Sequence, residues 1–234
     1  ATTADDPQAR IVALQGLDRC HRVQCPLTSA DVKLWIEHQD DVQVLDQLYK
    51  LAGAAKLDLL YELCAGKVAE GKFAGGCRTG LSRMGTDKAF DMLYDWLTVH
   101  KDTEESMRPG SYMFREDVAY LQPYADKPFA KERYYGLIDA VLGQTQRSGY
   151  ATGTIARQLT WLGDVDLSLK IAQKHLDAYE ALWTKEPTDR EQQFALGELR
   201  KTVQGLHKRI EENTAPAPTP APTPAPAPAA PDTP

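Results

Sequence analysis

The 234 residues are 42% hydrophobic and 26% charged, with a formal net charge of −6, and they give ample length to bury a core without help from a metal. Basic residues such as Arg19, Arg22, Lys131, Arg133, Lys208 and Arg209 are scattered among acids. That scatter excludes the concentrated cationic surface with which a nucleic-acid binder neutralises phosphates, and no apolar stretch approaches the ~18 to 20 residues needed to cross a bilayer.

The opening Ala1-Thr2-Thr3-Ala4-Asp5-Asp6-Pro7, without Met, reads as a short flexible terminus left by removal of a signal peptide. A periplasmic or secreted protein is therefore expected. Helical periodicity recurs from residue 8 to 213, and runs of alternating β-branched residues are nearly absent, so an all-α domain is predicted. Ile11, Leu14 and Leu17 form the apolar face of a first helix ending near Cys20. Thr28 and Asp31 have the spacing of a capping box, ahead of a helix presenting Val32, Trp35 and Ile36. Val44, Leu45, Leu48 and Leu51 mark a third helix that stops at Gly53, followed by Leu57, Leu60, Tyr61 and Cys64.

Cys77 to Gly85 reads as a helix closing on glycine, and Thr86 caps the next, which carries Ala89, Phe90, Leu93, Trp96 and Leu97. After Arg108-Pro109-Gly110 a helix is predicted over Glu116 to Leu121. Another follows Pro128, with Phe129, Tyr134, Leu137, Ile138 and Val141. Gly143, Gly149 and Gly153 suggest a flexible connection before Ile155, Leu159 and Leu162. Beyond Gly163-Asp164 a long helix holds Leu167, Ile171, His175, Leu176, Tyr179 and Leu182, and Pro187-Thr188-Asp189 starts the last one. From Thr214 to Pro234 nine prolines alternate with Ala and Thr, which predicts a disordered polyproline-II spacer of roughly 60 Å at ~3.1 Å per residue.

Cys20, Cys25, Cys64 and Cys77 are an even set, and four cysteines allow three pairings. The local pairs Cys20–Cys25 and Cys64–Cys77 are predicted. Pro26 and the Thr28 start imply a corner at the first pair, and the stretches Ala65-Gly66-Lys67 and Gly75-Gly76 suggest a loop closing the second. Cross-pairing remains open, as does a zinc site using His21, although close Cys-x2-Cys knuckles are missing. No cofactor or metal is expected.

The turns Leu51-Ala52-Gly53-Ala54, Met84-Gly85-Thr86-Asp87, Tyr124-Ala125-Asp126 and Leu162-Gly163-Asp164 each end one amphipathic segment and precede another. In Leu81 to Ala89 and Leu159 to Leu169 this resembles the inter-helix turn of HEAT-type repeats. The resemblance covers residues 40 to 185 and implies stacked helical hairpins, α-solenoid-like, with a concave binding surface. An irregular helical bundle fits the same residues.

His21, His38, His100, His175 and His207 fall in separate segments and form no His-x-x-x-His pair. Tyr112, Phe114 and Arg115, with Tyr134 and Tyr135, concentrate residue types enriched at protein interfaces and are the candidate binding residues, packing of the aromatics between adjacent helices being the alternative. The expected function is a protein-binding module, such as an adapter, inhibitor or immunity-type protein, with another protein as partner and the tail free to touch an envelope polymer. The competing expectation is an envelope enzyme with a site assembled around Asp91, Asp95 and His100.

Overall fold

Capping chemistry sets most of the helix starts. Thr28 Oγ1 accepts from the Asp31 amide at 3.2 Å while Asp31 Oδ2 accepts from the Thr28 amide at 3.1 Å, completing the predicted box. Asp41 accepts from the amides of Gln43 and Val44, Thr86 from Ala89, Asp164 from Leu167 and Asp189 from Glu191. Each of these side chains satisfies amide donors that the first helical turn leaves without partners.

A computed structural model describes residues 6–21, 27–69, 75–100, 118–144, 149–182 and 189–214. Among the described residues the fold is all-helical and contains no strand. The α-helices are α1 (Pro7–His21), α2 (Ser29–Glu37), α3 (Val42–Ala54), α4 (Leu59–Ala69), α5 (Gly75–Met84), α6 (Asp87–His100), α7 (Lys131–Gln144), α8 (Gly149–Gln158), α9 (Val165–Leu182) and α10 (Arg190–Thr214). Short 3₁₀ turns cover Gln122–Tyr124 and Leu159–Trp161. The predicted Cys20–Cys25 bridge, Tyr112, Phe114, Arg115 and residues 215–234 of the tail lie outside what the structure describes.

The most intimate contacts join α8 to α10, α3 to α5, α9 to α10 and α1 to α3. Three of these pairs are two apart in the chain and α9–α10 are consecutive, so the helices pack on near neighbours in sequence, as stacked helical hairpins do. One continuous core runs from Val32 to Leu206, and a smaller cluster of Leu14, Val44, Leu48 and Leu51 sits where α1 meets α3. Between α5 and α6, Gly85 adopts φ 74°, a left-handed turn that only glycine enters without strain. The Tyr124 hydroxyl anchors that turn by accepting from the Gly85 amide at 3.2 Å and donating to the Leu81 carbonyl. Burial pushes this phenol up to about 12.

Several glycines read as breaks lie inside helices instead. Gly53 belongs to α3 and faces the backbone of Gly80 on α5, and a Cβ on Gly80 would lie 2.5 Å from the Tyr49 carbonyl oxygen. Gly149 and Gly153, the expected flexible connection, are buried on α8 against Glu191 and Phe194 of α10. Ala65, Gly66 and Lys67 continue α4, and Gly75-Gly76 form the first turn of α5. Of the helix predicted over Glu116 to Leu121, residues 118–119 are helical and 120–121 turn into the 3₁₀ segment, while residues 116–117 lie outside what the structure describes. Phe129, expected in the core, is 41% exposed.

Candidate binding cleft

The stripe Lys131, Tyr135, Asp139 rises at i, i+4, i+8 along α7, while Asp164, Leu167, Ile171 and Lys174 run along the start and one side of α9. Where these stripes face each other they line a cleft of about 560 Å³. Ion pairs tie its two ends. At one, Lys131 Nζ meets Asp164 Oδ2 at 2.6 Å, and the Tyr135 hydroxyl accepts from the Asp164 amide at 3.1 Å. At the other, Lys174 Nζ and His175 Nε2 donate to Asp139 at 2.8 and 2.6 Å. The helices carry opposite signs at each end, so the pairs hold α7 and α9 in register and leave a slot between them.

In the middle of the slot stands Gly136, and a Cβ built there would meet nothing within 4 Å. The wall opposite is apolar, formed by Leu167 and Ile171. Glu132 on α7 and Lys170 on α9 stand exposed on the rim, each without an ion-pair partner among the described residues. Because Gly136 sits in mid-helix with free space above it, Gly136→Ala should stabilise the fold by about 0.5–1 kcal/mol and raise the melting temperature by about 1–4 °C. A thermal melt checks this.

Burial alone would raise the Asp139 carboxyl, but the hydrogen bonds from Lys174 and His175 outweigh it and hold the group below the ordinary carboxylate value. Asp164 is lowered too, by the hydrogen bond from Lys131 first and then by the Leu167 amide. A depressed carboxyl stabilises the fold above its unfolded pKa of about 4, and that stability is lost as the pH falls through the folded value. Asp139→Asn should therefore cost about 1 kcal/mol at pH 7, and the gap from wild type should close below about pH 4. Denaturant melts at the two pH values measure it.

His175 is only 3% exposed, and its Nδ1 has no hydrogen-bond partner. With Nε2 donating to the carboxylate, a proton relay would need an acceptor or nucleophile at Nδ1, and the described residues supply none. The pair clamps α7 to α9.

Of the other sequence candidates, Tyr135 alone among the described residues reaches the cleft. Tyr134 is fully buried in the core, and burial pushes its phenol up. Tyr135 is also buried, with only its hydroxyl serving the cleft. Both rings pack between helices, because the α7 faces that carry them turn inward. Asp91 accepts from Arg133 at 2.5 Å, and Asp95 lies 3.9 Å from the same guanidinium, which stacks 4.2 Å over Tyr94. These two acids anchor an arginine, and the His100 side chain lies outside the described residues. No group of His, Cys, Asp and Glu among the described residues could hold a metal ion, and no described helix is long and apolar enough to cross a membrane. Cys64 and Cys77 form a disulfide with a Cα–Cα distance of 5.7 Å.

Comparison with protein families, curated proteins and solved structures yields no match for this chain.

Proposed function

We propose that this chain is a protein-binding module that seats a segment of another protein in the α7–α9 cleft. One observation carries the reading. The slot has an apolar wall, a missing side chain at Gly136 and free charges on its rim, which is the composition of a binding groove: apolar contact supplies affinity and a few polar groups supply orientation. The stacked helices around it form a rigid frame on which such a groove keeps its shape. The Cys64–Cys77 bridge supports an oxidising compartment, so a periplasmic or secreted site of action belongs to the same proposal.

The test compares wild type with Gly136→Trp, whose indole would occupy the slot while the fold has room for it. Both full chains, immobilised at micromolar concentration, are exposed to an envelope extract. Proteins retained by wild type and lost by the variant support the cleft, provided the two melt within a few degrees of each other. Equal retention by both, or retention of nothing by wild type, overturns the reading.

A further inference from the structure

We infer that the cleft recognises a short stretch of chain in which one leucine-sized apolar side chain is flanked by a basic residue on one side and an acidic residue on the other. The inference rests on the protein-binding reading and adds the chemistry of the occupant. Of the charges lining the slot, Lys131 is matched by Asp164 and Lys174 by Asp139, so neither pair offers net charge to a ligand. What remains is one carboxylate, Glu132, and one ammonium, Lys170, on helices facing each other across the opening. A ligand that satisfies both must present one charge of each sign.

Between these charges the wall of Leu167 and Ile171 and the space above Gly136 favour an apolar group, because the side chains at these positions offer contact and no hydrogen-bonding atom. Glu132, Gly136 and Lys170 are all exposed, so the slot opens sideways to solvent and a chain can run in and out of it. That geometry favours a peptide segment over an enclosed small molecule. Neither rim charge pairs with another charge among the described residues, which leaves both available for selection among partners.

The experiment titrates the full chain with blocked peptides, followed by NMR at low salt. The mixed-charge peptides are Gly-Lys-Leu-Glu-Gly and its reverse order Gly-Glu-Leu-Lys-Gly. The controls replace the charged pair by two Gln, two Lys or two Glu, or the Leu by Ser. One mixed-charge Leu peptide should bind about five- to tenfold more tightly than any control, and the preference should shrink with added salt. Lys170→Glu should transfer the preference to the peptide with two Lys, and Glu132→Lys to the peptide with two Glu.

Binding that ignores peptide charge, a ranking unchanged in the charge-reversed variants, or no binding of any peptide overturns the inference. So does free leucine binding as tightly as the best peptide, since the ligand is then a small zwitterion. If peptide ranking fails while capture from extract still depends on Gly136, the occupant's chemistry is wrong and the binding module stands. If capture is indifferent to Gly136, the binding reading itself has failed.

Discussion

Gly53→Ala should destabilise the protein by about 3 kcal/mol and lower its melting temperature by about 6–12 °C, although it adds a single methyl group. In an open helix the same change would help by up to about 1 kcal/mol, so the expected sign is set entirely by what the methyl meets. At Gly53 it meets the backbone of Gly80, and backbone cannot rotate away as a flexible side chain can. α3 and α5 must then separate, and they are among the most closely packed helices of the fold, with Leu48, Tyr49 and Leu81 buried along them. Gly149→Ala should behave alike, because its methyl would collide with the Glu191 carbonyl of α10. Measured beside Gly136→Ala, the pair forms an internal control. All three remove a helical glycine, and two should lower the melting temperature while the third raises it. Equal effects at the three positions would mean that helix propensity, and not close approach, governs these glycines.

The helix starts were legible in the sequence because they are written within four residues of each other. Thr28 with Asp31, Thr86 with Ala89 and Asp164 with Leu167 need no knowledge of tertiary structure. The amphipathic stripes were legible for the same reason, and most of the predicted apolar positions do enter the core. Glycine was ambiguous, since the same residue ends a helix at Gly85 and admits a neighbouring helix at Gly53 and Gly153. Only the partner distinguishes the two uses, and the partner of Gly153 is Phe194.

The cleft was hidden in the same way. Lys174 and His175 reach Asp139 across 35 and 36 residues, so each charge looked like part of a solvated helix face. The burial of Tyr134 was legible, because it continues in steps of four to Ile138 and Leu142, a core stripe. Tyr135 instead stands between Lys131 and Asp139 on the stripe that lines the cleft. Glu132 and Lys170 carried no signal at all, since a lone exposed charge is the commonest feature of any surface.

Cys64→Ala/Cys77→Ala is the second large effect. The bridge spans a sequence separation of 13, and releasing a loop of that size in the unfolded chain is worth about 3 kcal/mol, or about 6–12 °C in melting temperature. Both sulfur-bearing side chains are fully buried in the main core, so alanine leaves a small void without introducing an unsatisfied hydroxyl, as serine would. The bridge ties α4 to α5, and α5 is the helix that Gly53 of α3 packs against. Loosening it should therefore be felt at the α3–α5 contact, and Gly53→Ala should cost less in the double-alanine background than in wild type. Reductant separates the two predicted bridges. Wild type in dithiothreitol should fall to the level of the double-alanine protein in the same reductant, and any fall of the double-alanine protein on adding reductant would report a bridge between Cys20 and Cys25. A double-alanine protein that melts with wild type would show that this loop is already closed in the unfolded chain or that the bridge adds nothing to the core.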